Sequence, residues 1–302
     1  MKRPLCALLA LLICLACLPA HADMAALGLN DPAPAPQEKY YLSDTHYEDP
    51  SITVDIGRGR VHETNYIYAV VKIADPGQLR TAMAHHYSSG RAVPGLAMAK
   101  ANNAVLAVNA DYYAMYNNGY LTRRGVNYRW RPDLNYDLLI IDQHGDLHGM
   151  VEPESGMISV WQSEHPDLQI VDTFNFGPVL VQDGVWREVS RENMRNLYRI
   201  EGDKPASRSA ICQLDALTYL TVASESPEDK DSSGMTLQQF TDCLREVEGR
   251  LEQRSIQFAY NLDGGNSTTV IFHNQKINAT GKERGRDLSD IIYFATAWRE
   301  EQ

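Results

Sequence analysis

The sequence predicts an α+β fold: mixed or antiparallel sheets packed with a few helices in a single compact domain. Three observations carry this expectation. Short β-rich runs outnumber helical patterns, many of those runs are joined by tight turns, and no internal repeat, heptad run or long charged block interrupts them. The 302 residues are 44% hydrophobic, enough for a substantial core.

Ile52, Val54 and Ile56 alternate with polar residues, and Ile67 to Ile73 is β-rich, so both predict strands. Asp75-Pro76 reads as a helix start, with Asp as N-cap and Pro in the first helical position. Pro94 opens a second short helix that leads to an apolar strand at Val105 to Val108. Leu138 to Asp142 predicts a strand closed by His144-Gly145-Asp146. Val179 to Val181 and Val185-Trp186 flank Gln182-Asp183-Gly184 as a hairpin. The clearest helix runs from Leu237 to Leu251. Thr236 and Gln239 form a capping box, and Leu237, Phe240, Leu244, Val247 and Leu251 share one face with Cys243. Strands follow at Ile256 to Leu262, Thr269 to His273 and Ile291 to Phe294.

The N-terminus predicts export to the periplasm or beyond the cell. Lys2 and Arg3 precede an apolar run from Cys6 to Leu18, and Ala20-His21-Ala22 supplies a small-x-small cleavage pattern before Asp23. The run is short for a membrane span, so residues 1–22 read as a signal peptide and no transmembrane anchor is expected. A lipoprotein with Cys17 as the modified residue is the alternative. Residues 23–44 contain Asp31-Pro32-Ala33-Pro34-Ala35-Pro36 and read as a tether with little to bury, leaving 45–302 as the folded domain. With 39 Asp and Glu against 28 Lys and Arg, the formal charge is −11. That balance argues against a nucleic-acid partner, which needs clustered cations. Beyond the signal only Cys212 and Cys243 remain, which either pair or stay as buried thiols.

Four segments have the composition of site-building loops. Asn109-Ala110-Asp111-Tyr112-Tyr113 follows a strand, where amide and carboxylate suit sugar hydroxyls and the rings suit stacking, although an Asx turn with core tyrosines uses the same residues. In Gly119 to Gly125, Arg123 and Arg124 offer forks for a phosphate; the competing reading is a solvated turn. Arg208 sits among small residues in Lys204 to Ala210 and points either into a cleft or to solvent. The fourth, Tyr260 to Thr269, ends a strand at Asp263 and continues through Gly264, Gly265, Asn266 and Ser267. Two glycines there permit close approach of a ligand and backbone N–H donation to anionic oxygen. A plain Asp-Gly turn accounts for the glycines but not for the polar cluster behind them.

In these segments the chain resembles the phosphodiester glycosidase family. The resemblance rests on Asn109 to Tyr113, with Ala110 where the family has Gly, and on Gly119 to Gly125, where Arg123 takes the arginine position. It continues through Phe176-Gly177-Pro178, through Pro205 to Ile211 with Arg208 as the matching arginine, and through Asn261 to Thr268, where Asn266 replaces a Gly. Arg286-Asp287-Leu288-Ser289-Asp290 closes the series. The motifs occur in family order and cover nearly the whole chain after the tether.

The resemblance implies an exported hydrolase cleaving the bond between a sugar's anomeric carbon and a phosphodiester on a glycan or wall polymer, with N-acetylglucosamine as one expected sugar. A phosphodiester is already a good leaving group, so the site needs cations or N–H donors on the phosphate and one carboxylate near the anomeric carbon. Asp263 is assigned that carboxylate role, with Arg208 and Arg123 on the phosphate beside the Gly264 and Gly265 N–H groups. Asn109 and Asp111 are assigned to sugar hydroxyls, with Asp111 and Arg208 counted with Asp263 in the catalytic set, Tyr112 or Tyr113 to stacking, and Asp290 to supporting an arginine from behind. Asn266 and Ser267 complete the substrate-binding set. No cofactor is required on this reading; a competing assignment makes Asp111 and Asp263 oxygen ligands of Ca²⁺. The same groove would also suit a non-catalytic phosphoglycan-binding protein or a glycosyl transferase.

Overall fold

Strand-forming runs dominate, and the computed structural model pairs them antiparallel throughout. It describes residues 26–300 apart from residues 116, 132–134, 195, 228–230 and 281–284. The expected signal peptide lies outside the described residues. Among the described residues, no helix is long and apolar enough to cross a membrane.

A nine-stranded sheet has Ile52–Val61, Thr64–Ile73, Thr218–Ser224, Ser209–Asp215, Phe258–Leu262 and Val179–Gln182 as consecutive neighbours. A five-stranded sheet centres on Ala104–Asn109, flanked by Val270–Phe272 and Asp290–Ala295, with Leu79–Met83 at its edge. A three-stranded sheet holds Leu138–Asp142 between Leu147–Met150 and Ile170–Asn175. Gly119–Arg123 and Val126–Arg131 form a separate hairpin. One core joins these layers: Val54, Val71, Ile211 and Tyr260 of the first sheet, Leu106, Val108, Ile292 and Phe294 of the second, and Leu139 and Phe174 of the third.

Asp290–Ala295 shows why its sequence is apolar without alternation. Ile292 and Phe294 enter the main core, whereas Ile291, Tyr293 and Ala295 enter a second cluster with Met98 and Ala99 of helix α1, Gly95–Ala101. Both faces of the strand are covered, so both alternating sets must be apolar.

The expected elements are present with shifted ends. Helix α2 spans Met157–Glu164. Helix α3, Leu237–Glu248, begins at the Thr236–Gln239 capping box and buries Leu237, Phe240, Cys243, Leu244 and Val247. It stops at Gly249, so Leu251 packs on the core from beyond the helix. Asp75-Pro76 starts only one 3-10 turn, Pro76–Gln78, because Leu79 is needed at once for the edge strand. The Pro/Ala-rich stretch is held against the body. Leu27 and Ala33 are buried, and Arg80, itself 3% exposed, donates to the carbonyls of Gly28, Leu29 and Asp31. Tyr41–Ser43 is already a strand of the large sheet, which shortens the expected tether from its far end. Cys212 and Cys243 are both buried free thiols, raised by burial, and form no disulfide.

Replacing Thr236 by Ala removes the acceptor for the Gln239 N–H at 3.2 Å. We expect a loss of about 1 kcal/mol in urea unfolding with an unchanged m-value.

Candidate functional site

Strand Phe258–Leu262 delivers Asp263 to one end of the large sheet, where the strand ends of the five-stranded sheet also arrive. The Asp263 N–H donates to the Ala110 carbonyl at 3.1 Å. The Asn109 amide clips the same loop, donating to the Asp263 carbonyl at 2.7 Å and accepting from the Thr269 N–H at 3.1 Å. Asn109 is therefore committed to loop architecture rather than to sugar hydroxyls, since both ends of its amide are used.

The glycines have separate reasons. A Cβ on Gly264 would meet the Ser207 carbonyl at 2.6 Å, so only glycine allows that approach. Gly265 has φ +58°, a left-handed conformation that favours glycine. Its N–H donates to the Ser207 carbonyl at 2.8 Å, and the Ser207 hydroxyl donates back to the Gly265 carbonyl at 2.6 Å. The Gly265 N–H is thus not open to a phosphate. Asn266 is exposed at the tip of this turn, and Ser267 is buried behind it.

Asp263 is 7% exposed, and its Oδ2 is buried without a hydrogen-bond partner. Burial pushes its carboxyl up to about 7, against the opposing pull of the Ser267 hydroxyl, Arg286 and the Gly264 N–H. Arg286 is exposed, and its Nη1 lies 3.4 Å from the Ser267 Oγ. Sequence reasoning placed Arg286 in a closing motif without assigning it to the site. Its position four residues before Asp290, directly after Gly285, was the available clue.

The two arginines expected on the phosphate are turned inward. Arg208 is 4% exposed and donates to the carbonyls of Met235, Ile200, Glu201 and Lys204 at 2.7–3.2 Å. Burial lowers its pKa to about 10. These carbonyls take four of the five guanidinium N–H donors, so Arg208 ties the 200–204 turn to the sheet. Arg123 lies between two buried carboxyls, with Nη2 at 3.0 Å from Asp111 and 2.5 Å from Asp290. It also donates to the Thr122 and Thr173 carbonyls and stacks 4.2 Å over the Phe174 ring.

Asp111 is saturated in turn. Its Oδ1 accepts from Arg123 and from the Tyr113 N–H, and its Oδ2 accepts from the Asn175 N–H at 2.8 Å. That leaves it unsuited to the catalytic or hydroxyl-binding part expected of it. Asp290 supports an arginine, and that arginine is Arg123. Burial and Asp111 raise the Asp290 carboxyl, with Arg123 opposing. Tyr112 adopts φ +44° and is half-buried, its ring edge-on to Phe176 at 5.8 Å. Among the described residues, no three His, Cys, Asp or Glu side chains converge as a metal-binding group.

Two measurements follow from this geometry. Arg123→Met strands two buried carboxyls, and we expect a loss of about 3–5 kcal/mol by chemical unfolding. Asp263 binds its proton more tightly folded than unfolded, where its pKa is about 3.9. Its contribution to stability is therefore full below about pH 4 and is lost as pH rises through about 7. Relative to the wild type, Asp263→Asn should gain stability from pH 4 to pH 8, by up to about 4 kcal/mol. An offset in melting temperature that does not change with pH would show that the carboxyl is not raised.

Comparison with known proteins agrees with this architecture. The catalytic domain of zebrafish N-acetylglucosamine-1-phosphodiester α-N-acetylglucosaminidase, auto-inhibited by its pro-peptide, shares the fold with a TM-score of 0.62 at 15% identity, over 87% of each chain. A hypothetical protein from Synechocystis gives 0.58 at 15% identity, over 80% of this chain and 62% of its own. No curated protein matches the sequence. The family model described as phosphodiester glycosidase matches residues 102–295, which hold every segment of the site. Matched over more than half its length, this chain belongs to the phosphodiester glycosidase family.

Proposed function

We propose that the protein is a hydrolase that cleaves the bond between a sugar's anomeric carbon and a phosphodiester, with Asp263 as the carboxylate and Arg286 as the cation on the phosphate. The observation that carries this reading is the Asp263 carboxyl, poised near neutrality with an unpartnered Oδ2 beside an exposed arginine. Asp111 has both oxygens engaged. Asp290 also keeps an unpartnered Oδ1, but its Oδ2 is tied to the buried Arg123, whereas Asp263 has an exposed arginine nearby. An orphaned oxygen at a strand end is what an incoming reactant would satisfy.

The chemistry asks for little beyond these groups. The departing phosphodiester carries its own negative charge, so a cation beside it lowers the barrier without a proton being delivered. Asp263, ionised above about pH 7, faces the developing positive charge at the anomeric carbon, as nucleophile, base or stabiliser. Arg286, and Asn266 at the turn tip, are both exposed. The family and the likeness to the zebrafish enzyme make an N-acetylglucosamine-1-phosphodiester the first substrate to try. The N-terminal signal supports action outside the cytoplasm, on a glycan or wall polymer.

The test is release of free sugar and phosphomonoester from a panel of sugar-1-phosphodiesters. We expect wild-type turnover, loss of at least 100-fold in kcat for Asp263→Ala, and a fall of at least tenfold in kcat/KM for Arg286→Gln. The wild-type rate should fall as pH drops below about 7. Turnover that survives Asp263→Ala sinks the choice of carboxylate. Saturable binding without release points to a binding protein, and sugar passed to an added alcohol points to a transferase.

A further inference from the structure

The stretch from Pro76 to Arg131 is charged unlike the rest of the chain. It holds seven Lys and Arg, together with His85 and His86, and a single acidic residue, Asp111. That one acid is buried against Arg123. The whole chain, by contrast, carries 39 acidic residues against 28 basic ones. Arg80 and Arg123 are buried, whereas Arg91, Lys100, Arg131, His85 and His86 are exposed, so the surface of this stretch carries cations with no acidic residue exposed within it.

Within this stretch a cavity of about 350 Å³ opens between the edge strand Leu79–Met83 and the Gly119–Arg131 hairpin. Asn30, Thr81, His85, His86, Arg124 and Tyr128 line it, Arg123 forms part of its wall, and no carboxylate does. Arg124 is the under-compensated group. Its Nε is buried without a partner, and its Nη2 reaches only the Asp31 carbonyl at 3.5 Å. Burial and the neighbouring Arg80 both disfavour its charge, with Asp172 and Asp31 opposing only in part. A cation in that state gains most from an incoming anion. The rim is ordered by Tyr87, whose ring lies 5.7 Å from Tyr128 and 6.3 Å from Tyr113.

The cavity and Asp263 belong to the same end of the fold. Arg123, in the cavity wall, is paired at 3.0 Å with Asp111, which adjoins Ala110, whose carbonyl receives the Asp263 N–H. On the other side, Met83 pairs with Asp290, and Val93 pairs with Leu288, so the 84–92 segment carrying both histidines runs beside the strand that follows Arg286.

We propose that this cavity is an anion subsite for a second phosphoryl group of the same glycan, so that the preferred substrate is a chain bearing at least two phosphodiesters. The link to substrate rests on the hydrolase reading above; the anion site itself does not. Two tethered anions engaging two cationic sites bind with an effective concentration that a single-unit substrate lacks.

Inorganic phosphate binding, followed by calorimetry on the folded wild-type protein, tests the site without turnover. Two sites are expected. Arg286→Gln should remove one, and Arg124→Gln should weaken the other at least tenfold. The exposed pair His85→Asn/His86→Asn should also weaken the second site and guards against misfolding of the Arg124 variant. A single site lost with Arg286→Gln overturns the cavity and leaves the hydrolase reading intact. A single site lost with Arg124→Gln supports the cavity and removes Arg286 from the phosphate. For the substrate class, a synthetic glycan with two phosphodiesters should bind the wild type at least tenfold more tightly than its single-unit fragment, with the advantage reduced in the histidine variant. Equal affinity of the two glycans in the wild type overturns the proposal.

Discussion

The ion cluster of Asp111, Arg123 and Asp290 is the constraint on which the rest of the site depends. Its members come from three places: the loop after Ala104–Asn109, the end of the Gly119–Arg123 strand, and the first residue of Asp290–Ala295. All are almost fully buried, so each desolvated charge needs its partners to be held in place. Two carboxyls face one guanidinium, and burial together with Asp111 pushes the Asp290 carboxyl upward, with Arg123 opposing. The Asn175 N–H on Asp111 extends the cluster to the three-stranded sheet. Once Asp111 is fixed, so is Ala110, and with it the carbonyl that sets where Asp263 can stand.

This economy divides the arginines by duty. Arg123 neutralises carboxyls, Arg208 collects carbonyls from a turn, and Arg80 collects carbonyls from the N-terminal stretch. Arg80 has all five N–H donors engaged, and Arg123 and Arg208 have four each. A group that must meet a leaving phosphate needs donors in reserve, which is the condition of exposed Arg286. The same contrast separates Asp111, with both oxygens engaged, from Asp263, whose Oδ2 waits for a partner.

Much of the architecture was legible in the sequence because it depends on local rules. The Thr236–Gln239 box fixed the start of α3, and the apolar face behind it fixed what the helix covers. Asp263-Gly264-Gly265 announced a special turn, and both glycines do have conformational or steric reasons to be there. Side-chain direction was not legible. Arg208 stands between two serines that suggest a cleft, but the carbonyls that claim it belong to Ile200, Glu201, Lys204 and Met235. Only the folded path of the 200–204 turn brings them there. Asn109 likewise looked like a sugar ligand because its true partner, the Asp263 backbone, is 154 residues away. The Pro/Ala-rich stretch looked unattached for the same reason, as its anchor lies on a distant strand.

That attachment bears on where the chain can safely begin. Arg80 takes the Gly28, Leu29 and Asp31 carbonyls as acceptors, and its remaining partners are Gly77 and the Tyr293 hydroxyl. A version trimmed to the first regular strand would leave a buried guanidinium facing a vacated trough, with Leu27 and Ala33 no longer sealing the apolar cluster beneath them. Protein engineers choosing an expression boundary by composition would cut at the prolines; the fold places the boundary before Leu27.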